Sequence, residues 1–280
     1  MSNFLTRTIT GVFIVVFIYG GFWLHPVSFI LTGLVIAAGC QYEYYRLIKT
    51  TGTRPQVIAG MVTGISAYSI AVLVAAGIIS YIYFLLLPLP VLFMLVAELY
   101  RKQTKPFDSL AHTFLPLLYI TLPLSLVPFS AFSHPGIDTL LNHGDYIFSP
   151  GIMLGFLALL WINDTGAYLA GITFGKHQLL ERISPKKTWE GFAGGLLLTL
   201  ALSFLLEHWP GVTGKVQWMI VAVIVSVSGT LGDLTESMLK RSLGIKDSGN
   251  IMPGHGGFLD RFDSILISFP LVFIYFTLFG

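Results

Sequence analysis

The stretch Ser237–Asp263 reads SMLKRSLGIKDSGNIMPGHGGFLDRFD and lies between two strongly apolar segments. It contains four basic residues, three acidic residues, one histidine and five glycines. Ionisable side chains at the edge of a bilayer, or inside it, are costly, so a chain that otherwise avoids charge is expected to keep them for substrate or ion chemistry. The stretch therefore predicts a functional site rather than a linker.

The composition predicts an all-α polytopic integral membrane protein, because 54 % of the residues are hydrophobic and 11 % are charged, against about 25 % charged residues in soluble domains. The single cysteine, Cys40, and the lack of CxxC and HExxH spacings argue against a disulfide framework or a zinc site. A spanning helix needs about 20 mostly apolar residues. Pro88 and Pro90 are expected to kink the fourth span. The sequence offers about nine windows, with eight or ten left open: Ile9–Leu24, Val27–Tyr42, Val57–Gly77, Ile79–Ala97, Leu110–Phe132, Ile152–Phe174, Phe192–Leu206, Val216–Ser237 and Phe258–Phe279.

The distribution of positive charge predicts the orientation of these spans, since Lys and Arg accumulate in cytoplasmic loops. With nine spans, 15 of the 16 Lys and Arg residues fall on the side of the N-terminus, and Lys215 alone falls opposite. We therefore expect the N-terminus and the polar stretch in the cytoplasm.

Five acidic residues fall inside the last four windows, and none falls inside the first four. Two pairs are spaced three apart, which places each pair on one face of its helix. Carboxylates from separate helices are hard oxygen ligands of the kind that bind Mg²⁺ together with substrate phosphates. The alternative is structural ion pairing with Lys240, Arg241 or Arg261, a role that suits Glu236 and Asp263 best. The five acids are Asp164, Asp233, Glu236, Asp260 and Asp263.

The loop before the last window predicts a phosphate site. Gly254-His255-Gly256-Gly257 precedes a helix, and glycine lets backbone N–H groups approach an anion at a helix N-terminus. The alternative for the glycines is a simple turn, and the alternative for the nearby basic residues is that they only follow the positive-inside rule. The basic residues that would add full charge are Lys240, Arg241, Lys246 and Arg261.

A second polar block, Ser184–Gly191, lies between the sixth and seventh windows. Ser184 or Thr188 can cap the following helix, and Lys187 stands where a phosphate would meet its N-terminus. A basic capping segment without a ligand is the alternative. Upstream, Asp164 lies within a span whose Gly residues allow close helix approach.

The polar stretch resembles the full signature of the phosphatidate cytidylyltransferases, also called CDP-diacylglycerol synthases. The matching positions are Ser237-x-Leu239-Lys240-Arg241, then Lys246-Asp247-x-Gly249, then Pro253-x-His255-Gly256-Gly257-x-x-Asp260-Arg261-x-Asp263. The specific resemblance covers about Trp161 to Ser264, whereas the first 150 residues are similar only in length and hydropathy.

The resemblance implies the reaction CTP + phosphatidate → CDP-diacylglycerol + pyrophosphate, dependent on Mg²⁺, with a second cation left open. Asp233 and Asp260 would be metal ligands, and Asp263 or Glu236 would add a ligand or support one. His255 would donate a hydrogen bond to phosphate. The groups expected at CTP or phosphatidate are Lys240, Arg241, Lys246, Asp247, Gly256, Gly257 and Arg261, with Asp164, Ser184, Lys187 and Thr188 as further candidates.

Two other classes compete with this interpretation. A cation-coupled transporter also buries acids, but the chain lacks the internal repeat that is usual there. A polyisoprenol kinase or a CDP-alcohol phosphotransferase acts on similar lipids, but the D-G-x-x-A-R motif of the latter is absent.

The expected organisation is a scaffold of transmembrane helices in residues 1–150 and a catalytic set of helices in residues 151–280. The bilayer is the expected surrounding, a bacterial inner membrane the expected location, and no nucleic-acid partner is expected. Small-residue faces such as Gly191–Gly195 could pack within one chain or across a homodimer.

Overall fold

The structure, a computed structural model, describes residues 3–133, 147–209, 214–245, 248–249 and 256–279. The chain divides into two compact units. Unit 1 is Met1–Phe148 with Asp247–Phe262, and unit 2 is Ser149–Lys246 with Asp263–Gly280. The polar stretch of the sequence therefore contributes residues to both units.

Unit 1 is built mainly from helices that follow the first five predicted windows. Two short strands, β1 (Phe132–Ser133) and β2 (Ile147–Phe148), pair antiparallel. The helices are α1 (Asn3–Trp23), α2 (Pro26–Lys49), α3 (Val57–Ala75), a 3₁₀ helix (Tyr81–Leu86) leading into α4 (Pro88–Tyr100), α5 (Pro106–Pro116), a π-helical turn (Leu117–Thr121), α6 (Leu122–Ser125) and a 3₁₀ turn (Val127–Ser130).

Prolines explain where these helices are interrupted. The 3₁₀ helix Tyr81–Leu86 gives way to α4 at Pro88, as predicted for the fourth window. Proline has no N–H to donate and clashes with the preceding turn, so an α-helix starts well at proline but does not run through it undisturbed. The π-helical turn after Pro116 has the same local cause.

The core of unit 1 forms where α2 meets α3 and α5. The Tyr45 hydroxyl donates to the Thr113 carbonyl at 2.8 Å, and the Gln41 amide donates to the Gly60 carbonyl at 2.9 Å. A Cβ on Gly60 would stand 1.9 Å from the Tyr45 hydroxyl oxygen. Glycine is therefore required on α3 for these buried polar groups of α2 to be satisfied by backbone carbonyls.

The described residues of unit 2 form four helices and a β-hairpin. Its helices are α7 (Gly151–Phe174), α8 (Trp189–Ser203, continued by a 3₁₀ turn Phe204–Leu206), α9 (Lys215–Ser242) and α10 (Leu259–Phe279), whose first turn is counted with unit 1. The antiparallel strands β3 (Gln178–Leu180) and β4 (Ser184–Thr188) connect α7 to α8.

Small residues bring α7 and α8 into close contact within the chain. A Cβ on Gly191 would lie 2.9 Å from the Ala167 carbonyl oxygen, and one on Gly194 would lie 2.2 Å from the Ala170 Cβ. A Cβ on Gly166 would in turn lie 2.9 Å from the carbonyl oxygen of Gly194. The glycines that the sequence left open to packing within one chain or across a dimer therefore pack within one chain.

The described residues contain eight helices that are long and apolar enough to cross a membrane, and α1 adds a shorter apolar helix over Gly11–Trp23. The predicted all-α polytopic fold is confirmed, and the chain is an integral membrane protein. Two of the boundaries that differ from the predicted windows concern acidic residues. Helix α2 continues past Tyr42 and α4 continues past Ala97, so Glu43 and Glu98 lie inside helices, 1 % and 4 % exposed. The statement that the first four spans hold no acid was therefore wrong.

Candidate functional site

An ion pair joins the hairpin to α9 in unit 2. The Lys187 ammonium, near the end of β4, contacts the Asp233 carboxylate. The Ser237 hydroxyl, one turn further along α9, approaches the other oxygen of Asp233 at 3.4 Å. The sequence predicted both charged residues as site members, but not that they contact each other.

The N-terminus of α8 fixes the position of Lys187. Thr188 has extended backbone angles (φ −123°, ψ 155°), and its Oγ1 accepts the Gly191 N–H at 3.1 Å. This is an N-cap, and the capping role predicted for Thr188 is confirmed. Ser184 instead lies in β4 opposite Leu180.

Glu190, in the first turn of α8, ties the start of the hairpin to the same helix end. Its carboxylate accepts the backbone N–H groups of Lys176 and His177 at 3.1 and 3.2 Å, and contacts His177 Nδ1 at 2.6 Å. The hairpin is thus held at both ends, which positions the backbone of Lys187.

Asp263 lies close to Asp233 because α9 and α10 approach each other at a glycine. A Cβ on Gly232 would stand 2.7 Å from the Asp263 carbonyl oxygen and 2.8 Å from the Ser264 Cα. Asp263 is 9 % exposed, and its Oδ1 accepts the Ser264 N–H at 2.7 Å. Its carboxylate interacts electrostatically with Asp233, Lys187 and Asp164. We call Asp164, Lys187, Asp233 and Asp263 the acid–lysine cluster.

The acid–lysine cluster suits a divalent cation in donor type and charge. Its three carboxylates and one ammonium group carry a formal charge of −2, and carboxylate oxygens are the hard ligands that Mg²⁺ prefers. Among the residues that the structure describes, no three His, Cys, Asp or Glu side chains already stand where they could hold a metal ion. Lys187 contacts an Asp233 oxygen that a cation would use, so binding a metal requires this ion pair to loosen.

Glu236 and Lys240 form a second ion pair, one turn beyond Asp233 on α9. The Lys240 ammonium lies 2.5 Å from Glu236 Oε2, and the two side chains are 13 % and 0 % exposed. The alternative that Glu236 pairs structurally with a basic residue matches this contact. The metal role of Glu236 and the phosphate role of Lys240 stay predictions.

Arg241 folds back on unit 2 through backbone oxygens. Its Nη1 donates to the Ile245 carbonyl at 3.1 Å, and its Nε approaches the Ile183 carbonyl at 3.4 Å. Arg241 is nevertheless exposed, as are Arg261 on the first turn of α10 and Asp164 on α7. These side chains are accessible to a soluble ligand or to lipid. The predicted site residues Lys246, Asp247 and His255 lie outside the described residues.

In unit 1, Asp260 organises the start of α10. Its Oδ2 accepts the Ser248 N–H at 3.0 Å, the Ser248 hydroxyl at 2.9 Å and the Gly257 N–H at 3.0 Å. Gly256 has a φ of 79°, a left-handed conformation that favours glycine. The Gly257 N–H, which the sequence predicted to meet phosphate, therefore donates to Asp260 in the structure. The metal role predicted for Asp260 stays a prediction.

Sequence reasoning missed Glu43. Its Oε2 accepts the Leu259 N–H at the start of α10, at 2.7 Å and across 216 residues of sequence. The signal was an acid at the end of an apolar run between Tyr42 and Tyr44, where the predicted window stopped one residue too early.

This fold and these residues define a class, namely a polytopic membrane protein whose helices and hairpin carry acidic and basic side chains. A family model described as the cytidylyltransferase family matches residues 5–279. The chain belongs to this family, which confirms the resemblance seen in the signature.

Individual relatives carry a more specific name. The chain is 46 % identical to a phosphatidate cytidylyltransferase of Staphylococcus epidermidis, 47 % to one of Staphylococcus haemolyticus and 49 % to one of Staphylococcus aureus. Each match runs over 123 residues, which is 43 % of this chain and 46 % of the relative. The match therefore spans about half the length of these relatives.

Proposed function

We propose that this protein transfers the cytidylyl group of CTP to phosphatidate, forming CDP-diacylglycerol and pyrophosphate. The observation that carries the proposal is the family match over residues 5–279, together with relatives named phosphatidate cytidylyltransferase at 46–49 % identity. The uninterrupted signature from Ser237 to Asp263 supports it from the sequence.

The reaction needs two anions held together and no covalent enzyme intermediate. A phosphate oxygen of phosphatidate attacks the α-phosphorus of CTP and forms the new P–O bond. The bond from that phosphorus to the oxygen bridging to the β-phosphate breaks, and pyrophosphate leaves with the electron pair. Phosphatidate is already ionised at neutral pH, so the protein's task is positioning and charge compensation.

The acid–lysine cluster supplies the type of donor for the metal that this chemistry uses, although its side chains would have to move together to bind it. Asp233 and Asp263, with Asp164, would hold Mg²⁺, and Asp260 is retained as a predicted ligand. A bound Mg²⁺ neutralises developing charge on the transferred and leaving phosphates. Whether a second cation takes part stays open.

Basic side chains would hold the phosphates. Lys187 is the ammonium group already among the carboxylates, and its release from Asp233 on metal binding would free it for a phosphate oxygen. Arg241 and Arg261 are exposed and could grip phosphate with two parallel hydrogen bonds. Lys246, Asp247, His255, Gly256 and Gly257 are kept as the signature's predicted contacts with substrate.

The membrane setting suits a lipid substrate. The acyl chains of phosphatidate can stay in the bilayer while its headgroup reaches charged side chains of the protein. Because basic residues concentrate on one predicted side, we place the reaction at the cytoplasmic face of a bacterial inner membrane.

The test is conversion of labelled CTP by purified, detergent-solubilised protein with phosphatidate and Mg²⁺. We expect equal amounts of CDP-diacylglycerol and pyrophosphate, with CTP preferred over ATP in competition. Asp233→Asn should lower kcat by about 100-fold or more, since it removes charge from a positioned electrostatic site. Asp108→Asn is the matched control, because Asp108 is exposed and makes only a 3.8 Å surface pair with Lys105.

The outcomes separate the reaction from the site. Folded wild-type protein that makes no product would refute the proposed reaction. Product formation by wild type and Asp233→Asn alike would keep the reaction and refute the assignment of the cluster.

A further inference from the structure

Glu43 occupies an unusual position for an acid on a membrane-spanning helix. It lies on α2, in the part of the chain that the sequence analysis treated as scaffold, and is 1 % exposed. Gly39, one turn earlier on the same face, receives the side chain of Phe258, because a Cβ there would stand 2.8 Å from the ring. This face of α2 therefore holds the residues just before and at the start of α10.

The contact between Glu43 and the signature is close on both carboxylate oxygens. Oε2 accepts the Leu259 N–H at 2.7 Å. Oε1 lies against two glycines of the signature. A Cβ on Gly249 would stand 2.0 Å from Oε1, and a Cβ on Gly257 would stand 1.7 Å from it. Neither position accommodates a larger residue without displacing the carboxylate, so both glycines are needed for Glu43 to reach the helix end.

Glu43 and Asp260 both accept hydrogen bonds from the segment Gly257–Leu259. Glu43 accepts the N–H of Leu259, and Asp260, the next residue, accepts the N–H of Gly257 and both donors of Ser248. The first N–H groups of a helix have no partner within the helix and carry partial positive charge, which favours the Glu43 carboxylate at Leu259. Placing Leu259 also places Asp260.

The geometry points to Glu43 as a positioning residue for the proposed reaction. It fixes the first turn of α10 and thereby the carboxylate of Asp260, without touching substrate. This inference rests on the proposed function, because its catalytic consequence is read in that reaction.

The first experiment compares Glu43→Ala and Glu43→Gln with Glu98→Gln. Glu98 is the matched control, a buried acid of unit 1 that pairs with Arg101 and Gln56, each at 2.7 Å. Glu43→Ala should lower kcat on the order of 100-fold with little change in the KM for CTP, since small displacements of a reacting group cost about that much. Glu43→Gln keeps an acceptor for Leu259 and loses charge assistance, so kcat should stay within about fivefold of wild type. Glu98→Gln should lower thermal stability but not kcat per folded molecule.

Amide hydrogen exchange gives a readout that does not depend on activity. Peptides covering residues 256–262 should exchange faster in Glu43→Ala than in wild type, and Glu98→Gln should leave them unchanged. Glu43→Ala with wild-type kcat, or with unchanged exchange in these peptides, would overturn the inference. If wild type formed no product, the proposed function and the catalytic part of the inference would both fail, while the exchange result would still decide whether Glu43 holds Leu259.

A double-mutant cycle isolates the contact itself. Gly249→Ala should lower kcat in wild type because its Cβ would displace Glu43, and should lower it much less in Glu43→Ala, where the obstructing oxygens are gone. Equal effects of Gly249→Ala in both backgrounds would show that Gly249 acts independently of Glu43 and would refute the mechanism.

Discussion

Replacing Lys187 with Met should affect metal binding and turnover in opposite directions. The Lys187 ammonium contacts the Asp233 carboxylate and lies in the field of Asp263. A divalent cation at the acid–lysine cluster has to compete with it. Removing the ammonium group raises the net negative charge of the cluster, so Mg²⁺ should bind more tightly. Turnover should fall, because the same group is proposed to hold phosphate.

The size of the effect on Mg²⁺ affinity follows from the exposure of the pair. The two side chains are 27 % and 35 % exposed. Fully exposed pairs contribute about 0.2–1 kcal/mol, whereas unit charges about 4 Å apart near a protein surface interact by about 4 kcal/mol. A partly exposed pair should lie between these limits, at about 1–2 kcal/mol, which corresponds to a roughly 5- to 30-fold lower Kd for Mg²⁺.

The assay measures Mg²⁺ affinity without nucleotide, because CTP itself binds Mg²⁺. Thermal unfolding is followed by circular dichroism at a series of free Mg²⁺ concentrations, and Kd is taken from the stabilisation, RT ln(1 + [Mg²⁺]/Kd). Lys176→Met is the matched control, since it removes the same charge from an exposed side chain just before the hairpin. Its Mg²⁺ affinity should equal that of wild type.

Unchanged or weaker Mg²⁺ binding in Lys187→Met would refute this reasoning. It would mean that the metal does not use the carboxylate oxygens that contact Lys187, and that the cluster is a structural ion-pair network.

Two further predictions concern the packing that supports the cluster. Gly155→Ala should destabilise the protein, because the new Cβ would stand 2.2 Å from Cη2 of the buried Trp218. Gly171→Ala on the same helix is the control, because its new Cβ meets only contacts of 3.6 Å or more. Overpacking costs about 1–3 kcal/mol. The melting temperatures of the two Ala variants should therefore differ by on the order of 5 °C. Trp218→Phe removes the clashing ring atoms and should recover much of the loss, whereas equal melting temperatures for the two Ala variants would contradict the α7–α9 packing. Thr188→Ala should lower unfolding free energy by about 1 kcal/mol through loss of the cap on the Gly191 N–H, while Thr188→Ser should not; a loss of equal size in both variants would point to the Thr188 methyl group instead.

The sequence predicted well those features that depend on local patterns. Apolar windows located the helices because membrane spans need about 20 apolar residues in a row. Pro88 marked an interruption of the fourth window, and Thr188 marked an N-cap, because both effects act within a few residues. The face Gly191–Gly195 marked a site of close helix packing, but the sequence left open whether its partner lies in the same chain.

Contacts between distant residues could not be predicted in the same way. The Glu43–Leu259 hydrogen bond spans 216 residues, and no periodicity encodes it. Hydropathy also hid this contact, because a charged residue such as Glu43 normally ends an apolar window. In the structure, the N-terminus of α10 compensates the charge of Glu43, so α2 continues past it. The pairing of Lys187 with Asp233 likewise depends on how a hairpin folds over α9.

The charges of the two units explain why the same residue type serves different purposes in each. In unit 1, Glu43 accepts the Leu259 N–H at the start of α10, and Asp260 accepts the N–H groups of Gly257 and Ser248, so backbone dipoles offset the charge of both carboxylates. In unit 2, Asp263 interacts electrostatically with Asp233, Asp164 and Lys187. The cluster thus holds three carboxyl groups and one ammonium group, so negative charge is in excess there. Excess negative charge at a helix-packed, partly buried position is stabilised best by a cation that binds several oxygens at once. A need for Mg²⁺ is therefore expected to originate in the acid–lysine cluster, and the glutamate on α2 is expected to act through structure.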